Sequence, residues 1–278
     1  MTERYPRVRF YWSDDGERFP CMQTSLSICF YMQRSHPAGY WEELNEASWE
    51  LIRQELIDPR GATLWLRDTP QLTTDYEFKY YGRELEASAM NGSARETCAV
   101  EFWLPTEYLE SHGPARVREL ALALGSGLPF NSGHAGLSFY FDRTMLDIAQ
   151  PLRELCFRYP GMDMPAVDRL TMFLGTRVKG AYWLTFLGAP VLDNLGGAAN
   201  LRARLHSAGT RVDELSASKA VVTLGEWPEA GDLGQGHILP AYRELAHVLE
   251  PWLYRAPRSA WCGFSDEEVH RWERRFLD

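Results

Sequence analysis

The sequence predicts an α+β fold, a mostly antiparallel sheet flanked by helices. Three observations predict it. Short runs of β-branched, aromatic and small residues recur at 24–32, 62–67, 76–81 and 98–104. Stretches with apolar residues at helical spacing stand between and after them, at 41–57, 114–124 and 239–254. An apolar share of 45%, with 13% aromatic residues over 278 positions, suffices to bury a large core.

TSLSICFYM at 24–32 is the first strand. Trp41 to Ile57 is a helix, because Trp41, Leu44, Ala47, Trp49, Leu51, Ile52 and Leu56 form one broad apolar face. Asp58-Pro59-Arg60-Gly61 stops it, since proline cannot continue the hydrogen-bond ladder. Strands follow at 62–67, 76–81 and 98–104, and the last two could pair as a hairpin across the polar connection 82–97.

Pro114 suits a first helical turn, and Val117, Leu120, Ala121 and Leu124 recur before Gly125 ends the run. Gly136 to Phe141 returns as a strand. Met145 to Phe157 is helical, with Pro151 marking either a kink or a late start. Strands at 183–187 and 220–224 and a helix at 239–254, bent by Pro251, precede a short terminal helix at 267–276.

AVEFWLP and ARVRELALAL (99–105, 115–124) echo VVTLGEWPEA and PAYRELAHVL (221–230, 240–249). The echo suggests two related lobes, about 20–145 and 165–255, within one body spanning 1–278. Two unrelated strand–helix units of ordinary composition would read the same way.

A formal net charge of −9 argues against a nucleic-acid-coating surface and suits a basic partner. No run approaches the ~18 apolar residues of a membrane span, and the N-terminus lacks a secretory apolar core. Cys21, Cys29, Cys98, Cys156 and Cys262 form no CxxC pair, so free thiols in a reducing cytoplasm are expected. No metal-ligand spacing and no cofactor loop occurs. The run Gly231-Asp232-Leu233-Gly234-Gln235-Gly236 lacks both the GxGxxG order and a phosphate-binding lysine, so it reads as a plain turn.

Among seven histidines, His134 in Asn131-Ser132-Gly133-His134 is the best candidate for a catalytic imidazole, on an expected turn before a strand. The commoner role for such a residue is a capping or core histidine. Carboxylates follow two tryptophan–proline turns: Glu107 and Glu110 after Trp103-Leu104-Pro105, and Glu229 and Asp232 after Trp227-Pro228. Aromatic anchors beside carboxylates suit a binder of a positively charged cleft. The expected partner-facing residues are therefore Trp103, Glu107, Glu110, Asn131, His134, Trp227, Glu229 and Asp232.

PTEYLESHGPARV, SGHAGLSF, CFRYPGMD, LGTRVKGAYWLTFLG, WPEAGD, LPAYRELAHVLEPWLY and the terminal WERRFLD occur in that order. Together they resemble the bacterial DUF3396 proteins, the type VI immunity family with many myxobacterial members, over about residues 5–278. The resemblance implies a cytoplasmic, non-enzymatic immunity protein without cofactor. It implies as partner a cognate antibacterial effector delivered by type VI secretion, of the VRR-Nuc nuclease kind, whose DNA-binding active site is occluded. The rival readings are a hydrolase using His134 and a structural protein of the secretion apparatus.

Overall fold

The computed structural model describes residues 5–7, 9–14, 17–33, 50, 53–54, 62–68, 75–83, 85, 95–141, 148–164, 166–257 and 263–278. In chain order its first elements are β1 (Arg9–Asp14), β2 (Glu17–Met32), β3 (Thr63–Arg67), β4 (Glu77–Tyr81) and β5 (Cys98–Pro105). Then come α1 (Thr106–Ser126), β6 (Phe130–Phe141), α2 (Ala149–Arg158), α3 (Val167–Phe173) and β7 (Leu184–Gly188). Short helices α4 (Val191–Asn194) and α5 (Gly197–Ala203) lead to β8 (Thr210–Ser216) and β9 (Lys219–Leu224). Helices α6 (Pro240–Leu249) and α7 (Asp266–Glu273) finish the chain. One antiparallel sheet runs β3-β4-β5-β2-β6-β7-β9-β8, and β1 pairs with the first half of β2.

The α+β expectation holds, and the expected β4–β5 hairpin forms with Glu77 opposite Trp103 and Tyr81 opposite Ala99. The expected helix over 41–57 falls outside the described residues except for Glu50, Arg53 and Gln54, which are helical. Pro151 lies in the first turn of α2, so it marks a late start. Strands from both halves of the chain share the sheet, joined where β6 pairs with β7.

Central strand β2 alternates apolar Met22, Leu26, Ile28, Phe30 and Met32 with polar or small Gln23, Ser25, Ser27 and Cys29. Such alternation ordinarily marks one wet face. Here both faces are dry, because every residue from Met22 to Met32 is buried. The even-numbered face packs under α1, where the ring of Phe30 meets Phe186 edge-on at 4.9 Å and Phe130 at 5.5 Å. Two glycines make room for that ring. A Cβ on Gly125 of α1 would meet it at 2.8 Å, and one on Gly133 of β6 at 2.6 Å. Burying a side chain of this size stabilises by about 1.5–3 kcal/mol.

The odd-numbered face carries Cys29, Tyr31 and Ala99 against Val167, Leu170 and Leu174 of the α3 region and Tyr254. Its remaining positions are polar yet covered, and they supply the network described below.

The helix expected from Pro114 is present, and within α1 it is preceded by a helical segment from Thr106 that the sequence did not predict. The two segments meet at Gly113, whose φ of 78° and ψ of 165° break the helical path before Pro114 restarts it. Glu107 and Glu110 therefore sit on a helix, where a rigid turn was expected. At the other end of the chain, α7 is closed by a capping box: Ser265 accepts from the Glu268 amide, and the Glu268 carboxylate accepts from Ser265 N–H at 2.9 Å.

Candidate functional site

Asn131 to His134 form part of β6, not the loop expected from the sequence. They lie in register with β7 (Ser132 opposite Leu187, His134 opposite Thr185) and with Cys29 of β2. The physical reason is Gly133: only a residue without a side chain lets β6 approach Phe30 and the Cys29 carbonyl so closely. His134 is 2% exposed and stacks on Tyr182, ring centroids 4.2 Å apart.

The segment around Asp163 takes the place beside β6 just beyond the start of β7. Asp163 N–H donates to the Leu137 carbonyl at 2.8 Å, and Phe139 N–H donates to the Asp163 carbonyl at 3.0 Å. This pins the Asp163 carboxylate inside the sheet face. It accepts from Lys179 Nζ at 2.6 Å, from the Tyr182 hydroxyl at 2.8 Å, and faces His134 Nε2 at 3.1 Å. Burial pushes its pKa up, but Lys179 and the His134 bond outweigh that and hold the carboxyl well below the usual range. Burial lowers the His134 pKa more than Asp163 restores it, so the ring is neutral at pH 7. A neutral ring facing an ionised carboxylate carries its proton on Nε2. Its Nδ1 has no hydrogen-bond partner among the described residues.

A second ionic group continues along the same face. Glu77, with a fully buried side chain, accepts from the Tyr140 hydroxyl and Trp65 Nε1, each at 2.7 Å, and pairs with Arg67 and Lys79. Lys79 also reaches Glu101 at 3.8 Å, and Cys29 Sγ lies 3.6 Å from the Glu101 carboxylate. Burial, then the Glu101 charge, pushes the Cys29 thiol well up, so it is no thiolate nucleophile. The cavity lined by Lys179, Tyr182 and Arg275 measures about 50 Å³, far below the roughly 300 Å³ at which ligand pockets begin. Among the described residues no cluster of His, Cys, Asp or Glu could hold a metal ion. The polar face is enclosed, and its buried carboxylates Asp163 and Glu77 are paired with cations, while His134 Nδ1 and the Tyr31 hydroxyl stay unpartnered among the described residues.

The remaining expected residues separate into two groups. Trp103 is 2% exposed and meets Tyr140 edge-on at 4.8 Å, so it anchors the core and presents nothing outward. Asn131 is half-buried, with its amide nitrogen enclosed. Glu110 is already engaged by the Tyr5 hydroxyl at 2.7 Å and by Arg7, while Glu107 is exposed. On the other turn Trp227 is half-buried against the core and Glu229 is exposed. Asp232 is clamped by Arg158 through two bonds of 2.9 and 2.8 Å.

Strands β5 and β9 run in the same direction, so both turns leave one end of the sheet. Four strand spacings separate them, about 19 Å. They then part: α1 covers the even-numbered face of β2, whereas the chain after β9 follows the other face, where the Gly161 amide bonds the Ala230 carbonyl at 2.7 Å. The two acid-bearing segments do not converge on one site.

Sequence reasoning missed Asp163 and Lys179, which stand 16 residues apart with no spacing signature. It also passed over Leu233 (51% exposed) and Ile238 (63% exposed) on the turn after Asp232. Their signal was present: large aliphatics set among glycines and polar residues.

No curated protein matches this chain at a significant level. Among solved structures, the Pseudomonas aeruginosa type VI secretion system (T6SS) protein PA0821 shares 20% sequence identity and a TM-score of 0.69. The match covers 97% of this chain and 87% of that one, and at this identity it speaks for the fold alone. No helix among the described residues is long and apolar enough to cross a membrane. Residues 22–276, nearly the whole chain, match TsiV, and the chain belongs to that family, described as type VI immunity for VRR-NUC.

Proposed function

We propose that this immunity protein acts in the cytoplasm as a binder. It docks onto the VRR-Nuc domain of its cognate effector, covers the DNA-binding active site and changes no covalent bond. The observation that carries this reading is the sealing of the one arrangement that resembled chemistry. His134 and Asp163 are buried in mutual contact, with Lys179 and Tyr182 filling the carboxylate's remaining positions. A general base must reach a substrate proton, and no substrate-sized cavity opens onto this pair.

The charge balance supports the same reading. A nuclease cleft is basic, so a protein of net charge −9 gains association rate by steering. Specific capture needs an interface of roughly 1,600 Å² with a few buried anchors.

The test is a titration of the effector's VRR-Nuc domain, read by plasmid cleavage with the effector's mass checked afterwards. A binder abolishes cleavage at a fixed molar ratio, leaves the effector mass unchanged and competes with DNA. Loss of activity at a small fraction of that ratio, with an altered effector mass, would contradict it.

A further inference from the structure

Eight residues after β9, 231–238, form an outward excursion held rigid by its own bonds. Asp232 and His237 pair as an isolated antiparallel bridge, with N···O distances of 3.0 and 2.9 Å. The Asp232 carboxylate accepts from Gly234 N–H at 3.0 Å while Arg158 grips it from α2. Gly231 and Gly236 take φ values of 66° and 72°, which side-chain-bearing residues avoid.

This rigid excursion exposes Leu233 at 51% and Ile238 at 63%. Single exposed aliphatics are ordinary. Two on one short, hydrogen-bonded excursion are different, because the chain forgoes their burial on folding while holding them in a fixed place. The surrounding stretch 225–239 carries Glu226, Glu229 and Asp232 and no lysine or arginine. Glu226 and Glu229 are exposed and make no ion pair among the described residues.

We infer that the 231–238 excursion is the anchor that enters the basic DNA-binding cleft of the effector's nuclease domain. Leu233 and Ile238 supply the desolvated contacts, and Glu226 and Glu229 face the cationic rim. This rests on the binding reading above. The occupant follows from charge: a carboxylate-ringed apolar tip complements a cleft built to hold phosphates, and would be repelled by DNA itself. Rigidity matters because a preformed tip loses little conformational freedom on docking.

The test measures binding of the full-length chain to the effector's VRR-Nuc domain, made catalytically inactive. L233S/I238S should weaken binding at least 100-fold while the melting temperature stays that of the parent, since both residues are more than half exposed. The control L215S, at another exposed leucine of 38% exposure on β8, should bind within twofold of the parent. If the parent binds and L233S/I238S binds equally well, the anchor is elsewhere and the binding reading survives. If the parent itself does not bind the nuclease domain, both the anchor and the binding reading fall.

Discussion

The segments Trp103–Glu110 and Trp227–Asp232 share a vocabulary of tryptophan, proline and carboxylates, and the fold uses them in opposite ways. The first is absorbed: Trp103 lies in the core against Tyr140, and its carboxylates ride the opening of α1, where Glu110 is engaged by Tyr5 and Arg7. The second is presented. Trp227 only leans on the core, Glu229 is exposed, and Asp232 is spent on fixing a turn that holds Leu233 and Ile238 in solvent. Identical residue types acquire different roles from what lies next in the chain. A helix pulls the first segment onto the sheet, whereas two left-handed glycines turn the second away from it.

The largest expected effects break this comparison at its buried side. Trp103→Ala should cost about 3–5 kcal/mol in chemical denaturation, as truncation of a buried tryptophan does. Trp227→Ala should stay within the ordinary range of about 0.5–3 kcal/mol. Equal losses would mean that the two tryptophans are equally structural. Asp163→Asn should also cost about 3–5 kcal/mol, because it strands the buried Lys179 charge.

Acid should act on the same network. The His134 pKa is lowered in the folded state, so its contribution to stability is complete above the unfolded value of about 6.5 and is lost as pH falls below it. Asp163 is likewise lowered, and its contribution is lost further down, below about 3.9. Melting temperatures should therefore fall as the pH drops from 7 to 5, and His134→Gln should flatten that part of the curve. A parent profile that stays level to pH 5 would show that the ring accepts its proton without penalty.

How legible this was depends on distance along the chain. The strands at 76–81 and 98–104 and the helix face at Val117 and Ala121 were readable, because periodicity is local. The segment 131–134 was not. Asn, Ser and Gly are turn formers, and only the ring of Phe30, a hundred residues earlier, explains why Gly133 belongs in a strand. The start at Pro114 was readable, but the helical segment before it, from Thr106 to the non-helical Gly113, was not. At the candidate site, the carboxylates were visible as types, but whether each was exposed or paired with Arg7 or Arg158 was decided by residues far away in sequence.

Smaller effects sharpen the comparison on its exposed side. E226K/E229K should slow association with the nuclease domain about tenfold at low salt, a difference that shrinks as salt screens it. E107K/E110K should leave the rate within twofold. A larger effect from the second pair would transfer the docking face to α1. Smallest of all, Arg158→Ala should barely move the melting temperature, because the Arg158 side of its pair with Asp232 is 48% exposed. Its effect should show instead as faster hydrogen exchange at the Gly234 and His237 amides.

The most direct measurement is a hydrogen-exchange footprint of this immunity protein with and without the inactive VRR-Nuc domain. Amides at 231–238 should gain protection in the complex, while those at 131–134 and 163, already locked in the sheet, should not change. Protection that appears at β6 and Asp163 and leaves 231–238 untouched would contradict the division between a sealed polar face and a presented apolar tip.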